Sequence, residues 1–170
     1  MTNYQSFLEK GKQIELNFAN KYLKEFILAN KQEDIFEHWD VKGVCAVIGM
    51  DSLKFDIKGL KKINRYDNNY QDENAWVEGT TVDGRDGWLK GKADYIVFER
   101  NNNWLVVERE ELLNYTINKL KENNYKTGKG KYMIYTRLNR KDKITLVPFE
   151  DIKKLSTAKE LIKWQVYNIH

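Results

Sequence analysis

The sequence predicts an α/β fold of the α+β type, in which a mixed central β-sheet is flanked by helices. Three observations predict it: an amphipathic helical pattern opens the chain, short strand-like segments follow, and a second helical pattern precedes two more strands. The chain of 170 residues has 41% apolar side chains and one proline. This composition fits one folded domain over residues 1–170 and excludes a disordered or fibrous protein.

The first helix is expected over residues 4–29, because apolar side chains recur there at intervals of three and four residues. Glu15 lies on the apolar stripe, with Phe18 and Tyr22 as its helical neighbours. Helical acids usually face water, so a carboxylate at this position needs a reason. Glu15 is therefore a candidate functional residue.

The middle of the chain predicts a hairpin over residues 35–59, with a turn near residues 49–52. Leu53, Phe55 and Ile57 alternate with polar residues, as in a strand with one buried face. The remaining elements are expected in this order: strands at 76–82, 88–98 and 104–107, a helix at 110–123, strands at 132–136 and 144–147, and a helical C-terminus after Pro148.

The second hairpin strand carries the residues best suited to catalysis. Its period of two places Asp56 and Lys58 on the same face, opposite the apolar side chains. Asp40 comes before the turn, and Glu15 on the helix supplies a third carboxylate if the helix packs across this end of the sheet. Clusters of carboxylate oxygens suit Mg²⁺ or Mn²⁺.

The hairpin register decides whether Asp40 reaches this site. A tight turn at Gly49 would place Asp56 opposite residue 43, so that Asp40 needs a bulge or a wider loop to approach it. Asp51 is the alternative first acid, although an aspartate within a turn more often stabilises the turn itself.

Glu15, Asp40 and Asp56-Ile57-Lys58 together resemble the PD-(D/E)XK nuclease superfamily. The helix glutamate and the small size are most similar to Holliday-junction resolvases and small phage-type endonucleases. The chain departs from the usual motif in having Trp39 before Asp40 and aspartate before x-Lys. The resemblance implies a restriction-endonuclease-like αβββαβ core.

The resemblance also implies a function: Mg²⁺-dependent (or Mn²⁺-dependent) hydrolysis of phosphodiester bonds in DNA, including branched DNA, by a homodimer. Asp40, Asp56, Glu15 and the Ile57 carbonyl would bind the metal. Lys58 would orient or deprotonate the attacking water, so that the catalytic set is Asp40, Asp56, Lys58 and Glu15. Glu78 is a further candidate acid on the following strand, and Asp94 is either structural or part of the site.

A basic segment follows the second helix. Between residues 126 and 143, lysines and arginines are interleaved with tyrosines, and Asp142 is the only acid. Such a pattern is typical of a surface that follows a phosphate backbone, and equally of a solvated hairpin turn. Two further lysines follow the strand that carries Asp56 and Lys58. Together with the basic segment, they make up the residues expected to bind nucleic acid: Lys61, Lys62, Lys126, Lys129, Lys131, Arg137 and Arg140.

Other interpretations stay open at this point. An Asp-x-Lys strand motif is often only an exposed ion pair, and a nuclease fold can bind nucleic acid or a partner protein without cutting. RNA is an alternative substrate, because contacts to the 2′-OH are not defined by this pattern.

Composition excludes several classes. One cysteine and two histidines argue against zinc hydrolases and a disulfide framework, and no Walker-type phosphate loop is present. The sequence contains no apolar run long enough to cross a bilayer and no export signal, so we expect a cytoplasmic protein without a membrane partner.

Overall fold

The structure is a computed structural model and describes residues 3–49, 51–63 and 67–163, with side chains from residue 9 onward. Its helices and strands follow one another as α1 (Asn3–Tyr22), β1 (Lys24–Leu28), β2 (Val41–Val44), β3 (Ser52–Lys58), β4 (Asn74–Thr80), β5 (Tyr95–Glu99), β6 (Asn103–Glu108), α2 (Arg109–Glu122), β7 (Lys143–Pro148), α3 (Phe149–Ile152) and β8 (Lys159–Ile162). A π-helical turn, Glu33–Glu37, precedes β2, and a 3₁₀ turn, Trp88–Lys90, precedes β5.

The strands of the described residues form two sheets. The main sheet has six strands in the order β1-β2-β3-β5-β6-β8, and β4 pairs with β7 in a separate two-stranded sheet. Neighbouring strands are antiparallel except β3 and β5, which run parallel. The predicted α+β fold with a mixed sheet and flanking helices is therefore confirmed.

The main sheet has an apolar core on each face. Helix α1 covers one face, where Phe18 packs against Phe55 and Trp104. The second sheet, α2 and α3 cover the other face, where Phe98 packs against Phe149. Because Phe55 and Ile57 both belong to the α1 side, the alternation of β3 turns Asp56 and Lys58 toward the second sheet.

The predicted first helix reaches residue 29, but α1 ends at Tyr22. Residues 24–28 form edge strand β1, and its pairing with β2 is irregular between Lys24 and Ile27. Glu25 has a φ of 48° within this irregular stretch. The side chains at 26 and 27 fit a helical stripe equally well, but in the strand they separate, with Phe26 against the core and Ile27 60% exposed.

Three other element predictions need correction. Residues 88–94 are a 3₁₀ turn and loop, so the predicted strand 88–98 is confirmed only as β5. The segment 132–136 makes isolated bridges to β7 and to residue 127 instead of a continuous strand. After Pro148 the chain makes the short helix α3 and then strand β8, while residues 164–170 lie outside the described residues.

The helices of the described residues lack the length and the apolar character that crossing a bilayer requires.

Candidate active site

The β2–β3 hairpin brings Asp40 and Asp56 together. Val41 pairs with Phe55 and Val44 with Ser52, so the connection between β2 and β3 is longer than a tight turn, as the Asp40 prediction required. Continuing this register by one residue sets Asp40 opposite Asp56. Asp51 lies exposed at the other end of the hairpin, so the structure favours Asp40 as the first acid.

Asp56 is a buried carboxylate with one partner. The residue is 1% exposed, and Oδ1 forms an ion pair of 2.6 Å with Nζ of Lys58. Oδ2 is buried without a hydrogen-bond partner. A buried carboxylate oxygen without a donor is costly, so this atom calls for a partner, which either a proton on the neighbouring Asp40 or a cation would supply.

Asp40 approaches Asp56 from the neighbouring strand. Its backbone N–H donates to the Phe55 carbonyl at 2.8 Å, and its Oδ2 accepts from the backbone N–H of Ile57 at 2.6 Å. The two carboxyl groups are close enough to share a proton and to repel when both are ionised. Burial first, and then the charge of Asp56, raise the pKa of Asp40 to about 8. Burial also raises the pKa of Asp56, against the influence of Lys58.

The segment before Asp40 is held by Glu37. The Glu37 carboxylate accepts hydrogen bonds from Lys54 at 3.0 Å, from Lys92 at 3.0 Å and from the indole N–H of Trp39 at 3.1 Å. These hydrogen bonds, with Lys54 contributing most, lower the pKa of Glu37 to about 2. Glu37 is therefore an anchor that fixes the entry into β2.

Glu15 is half-buried on α1. Burial, followed by the charges of Asp40 and Asp34, raises the pKa of Glu15 to about 7. Glu15 thus lies within electrostatic range of Asp40, and its convergence on a metal site stays a prediction.

Lys58 is the cation of the site. Burial opposes its charge, but Asp56 and Asp40 outweigh burial and raise the pKa of Lys58 above its ordinary value. Its Nζ lies 5.1 Å from the centre of the Trp88 ring. Glu78 on β4 is half-buried and interacts with Lys58 through its charge, while burial raises the pKa of Glu78.

The residues present fit a hard divalent ion. Within the described chain, no three His, Cys, Asp or Glu side chains gather closely enough to form a metal site by themselves. Mg²⁺ commonly uses one or two carboxylates and keeps several waters. Asp40 and the orphaned Oδ2 of Asp56 supply such a pair, and Glu15 would act through water. The ligand role of the Ile57 carbonyl stays a prediction.

A cleft of about 940 Å³ extends from Lys58 between the main sheet and the second sheet. Five of the residues predicted to bind nucleic acid line it: Lys61, Lys62, Lys129, Arg137 and Arg140. Lys126 and Lys131 are exposed outside this lining in the described structure, so the cleft does not include them.

Asp94 has a structural role. Its Oδ2 accepts from the Lys54 backbone N–H at 2.7 Å, and its carbonyl accepts from the Arg109 N–H at 2.9 Å. These bonds join β3, β5 and the start of α2, away from Lys58. Of the two alternatives for Asp94, the geometry favours the structural one.

Sequence reasoning missed part of the cleft wall. Trp76 and Tyr135 line the cleft with ring centres 6.1 Å apart, and Leu138 lies at its rim. For Tyr135 and Leu138, the only sequence signal is the alternation of tyrosines with basic residues after residue 125. Because β4 and β7 are far apart in sequence, that signal does not place Trp76 beside Tyr135.

A scan against protein-family models, a search of curated proteins and a search of solved structures each found no match to this chain. The carboxylate pair and the cleft are therefore the features that bear on function.

Proposed function

We propose that the protein is a metal-dependent endonuclease of the PD-(D/E)XK type that hydrolyses phosphodiester bonds in DNA. One observation carries the proposal: the buried Asp56 carboxylate has an unpartnered oxygen beside Asp40 and an ammonium group, that of Lys58, on its other oxygen. A structural ion pair leaves the second acid, Asp40, without a role, whereas a metal site uses it as a further ligand.

The basic cleft supports a polyanionic substrate. It begins at Lys58 and continues past lysines and arginines on both walls. A phosphate backbone lying there would place one phosphodiester next to Lys58, the member of the site that lines the cleft and pairs with Asp56. Basic side chains would neutralise the neighbouring phosphates.

Each side chain has a distinct task in this reaction. A bound divalent ion would lower the pKa of an attacking water and offset the charge developing on the phosphate. Asp40 and Asp56 would hold the ion, with Glu15 fixing a water beside it. Lys58 would orient the attacking water and donate a hydrogen bond to the phosphate as its charge increases. The attacking water gives one proton to solvent as its oxygen bonds to phosphorus, the bond to the leaving oxygen breaks, and solvent returns a proton to that oxygen.

A catalytically inactive nucleic-acid or protein-binding module is the second candidate. The 2.6 Å contact between Lys58 and Asp56 favours it, because a lysine paired this tightly also suits a purely structural ion pair. In this case the cleft would bind without cutting. Homodimerisation, which would present two sites to two strands, is part of the nuclease proposal and is measured by sedimentation.

Cleavage assays separate the candidates. We would incubate plasmid, single-stranded DNA, four-way-junction DNA and RNA with the protein in Mg²⁺, Mn²⁺ or EDTA. Asp56→Asn and Lys58→Ala are expected to reduce cleavage at least about 100-fold. Asp51→Asn and Lys24→Ala are matched controls, because both residues are exposed and lie outside the site.

The nuclease would be established if wild type and both control variants cut in a metal-dependent way and both site variants did not. The absence of cutting on every substrate, in a folded protein that takes up no Mn²⁺, would overturn it. Cutting of RNA alone would correct the substrate class.

A further inference from the structure

The rim of the cleft carries an apolar side chain in an unusual setting. Leu138 is 89% exposed, the highest value among the large apolar residues of the described structure, and it belongs to the cleft lining. Arg137 and Arg140 lie on either side of it in the same turn and line the cleft as well. Single exposed apolar side chains are common on protein surfaces, so it is the position of Leu138, between two arginines that line a basic cleft, that suggests a role.

The turn holds Leu138 outward firmly. Asp142 is fully buried, and its carboxylate accepts from the backbone N–H of Arg137 at 3.1 Å and pairs with the Arg137 guanidinium. The Arg140 N–H donates to the Arg137 carbonyl at 3.0 Å, which closes the turn. Asn139 takes up the left-handed conformation at a φ of 59°. The exposure of Leu138 is therefore built into the backbone.

The cleft behind Leu138 has the size and lining for an unpaired strand. Its volume of about 940 Å³ lies at the upper end of the range for pockets that bury one drug-sized molecule. Such a space has room for a few unpaired nucleotides. The Trp76 and Tyr135 rings, tilted at 41° to each other, offer apolar faces on which bases stack regardless of sequence.

We propose that the substrate is DNA at a junction between duplex and unpaired strand, with the unpaired strand in the cleft and Leu138 packed against the last base pair. Apolar side chains that reach into stacked bases unstack the neighbouring step, and the flanking arginines would bind the two adjacent phosphates. The inference rests on the proposed nuclease function, since it names the substrate of the same site. A cleft that admits one strand places the scissile bond next to a fork.

Binding in EDTA tests the inference without any cleavage. Fluorescence anisotropy would compare a forked DNA, its fully paired duplex and its single strand, all of matched sequence. A 2-aminopurine at the last base pair would report unstacking, with a second probe deeper in the duplex as the internal control. The variants are Leu138→Ala, Trp76→Ala and Val47→Ala, the last being a control because Val47 is 50% exposed in the loop at the other end of the hairpin.

We expect the fork to bind about tenfold more tightly than the duplex, and the junction probe alone to brighten. Leu138→Ala should abolish the brightening while single-strand binding changes less than about twofold. Trp76→Ala should weaken single-strand and fork binding about tenfold. Val47→Ala should match wild type.

Equal affinity for fork and duplex would overturn the inference. So would a Leu138→Ala variant that brightens the junction probe as much as wild type does. Cleavage without any preference for forked DNA would support the nuclease proposal but contradict the proposed junction substrate. Fork binding with junction brightening but no cleavage in Mg²⁺ or Mn²⁺ would keep the junction-binding surface and remove the nuclease.

Discussion

The Asp40 carboxylate accepts a 2.6 Å hydrogen bond from the backbone N–H of Ile57, the residue between Asp56 and Lys58. This contact links the start of β2 to the end of β3 and sets the register of the hairpin at the site. A slip of one residue would turn Asp56 and Lys58 into the α1 core and Ile57 out of it. The hydrogen bond thus secures both the position of the first acid and the direction of the motif.

Asp40→Asn should stabilise the metal-free protein at high pH. Because burial and Asp56 raise the pKa of Asp40 to about 8, the cost of ionising Asp40 is absent below its ordinary value of 3.8 and grows as the pH rises toward 8. We expect a gain of about 1–3 kcal/mol in the free energy of unfolding at pH 9 and little change at pH 4. Urea unfolding of both proteins in EDTA measures this difference in the free energy of unfolding. The same difference at pH 4 and pH 9 would contradict the prediction.

Metal binding should be coupled to proton release. Asp40 and Glu15, whose pKa values are raised to about 8 and about 7, must lose their protons before they can serve a cation. Mn²⁺ affinity measured by calorimetry should therefore rise about tenfold or more between pH 6 and pH 8.5. Glu15→Gln should lower the number of protons released, whereas Asp51→Asn should not. Affinity that is constant with pH would argue against these ligands.

Gly91→Ala should destabilise the protein and disturb the site from a distance. A Cβ at residue 91 would come within 2.6 Å of the His38 Cβ and 2.7 Å of the Glu37 carbonyl oxygen. We expect a loss of about 1–3 kcal/mol and weaker cleavage, since the Glu37 anchor precedes Asp40. Gly49→Ala is the control, because nothing lies within 4 Å of a Cβ there. Similar unfolding midpoints for the two variants would refute the steric argument.

Glu111→Ala should loosen the connection between α2 and the segment before β8. The Glu111 carboxylate accepts from the Ser156 N–H and hydroxyl at 2.8 Å each and from the Thr157 N–H at 2.9 Å. Burial opposes the charge, but these bonds and one from the Thr157 hydroxyl, which contributes most, lower the pKa of Glu111 to about 2. The stabilisation is complete when the pH is above 4.5, the ordinary pKa of a glutamate, and it disappears as the pH falls toward 2.

We therefore expect Glu111→Ala to cost about 1–2 kcal/mol at pH 7, a modest value because the carboxylate remains partly exposed to solvent. Thermal unfolding at pH 7 and at pH 3 should show the difference from wild type shrinking at the lower pH. A difference that grows on acidification would reverse the assigned sign.

Local patterns predicted the parts of the site that depend on one strand or one helix. The period of two in β3 placed Asp56 and Lys58 on one face, and the apolar stripe of α1 singled out Glu15. These predictions succeed because a residue's face follows from the backbone alone.

Features that depend on distant parts of the chain escaped prediction. The connection between β2 and β3 sets the hairpin register, and no local signal distinguishes it from a tight turn. The pairing of β4 with β7 builds one wall of the cleft from segments far apart in sequence. Strand β1 lies in a stretch whose apolar spacing suits a helix as well, and pairing with β2 decides between them.

The parallel pairing of β3 with β5 joins Phe55 to Tyr95 and Asp56 to Ile96, across the whole of β4 and the loops around it. Closing so long a loop costs chain entropy before any contact is gained, so this pairing should form late during folding. A chain still emerging from the ribosome has β2 and β3 but lacks β5 and the second sheet. The acid pair would then remain hydrated, and the cleft would not yet exist. Under the proposed nuclease function, late strand pairing would keep the nascent chain from cutting nucleic acid during its own synthesis.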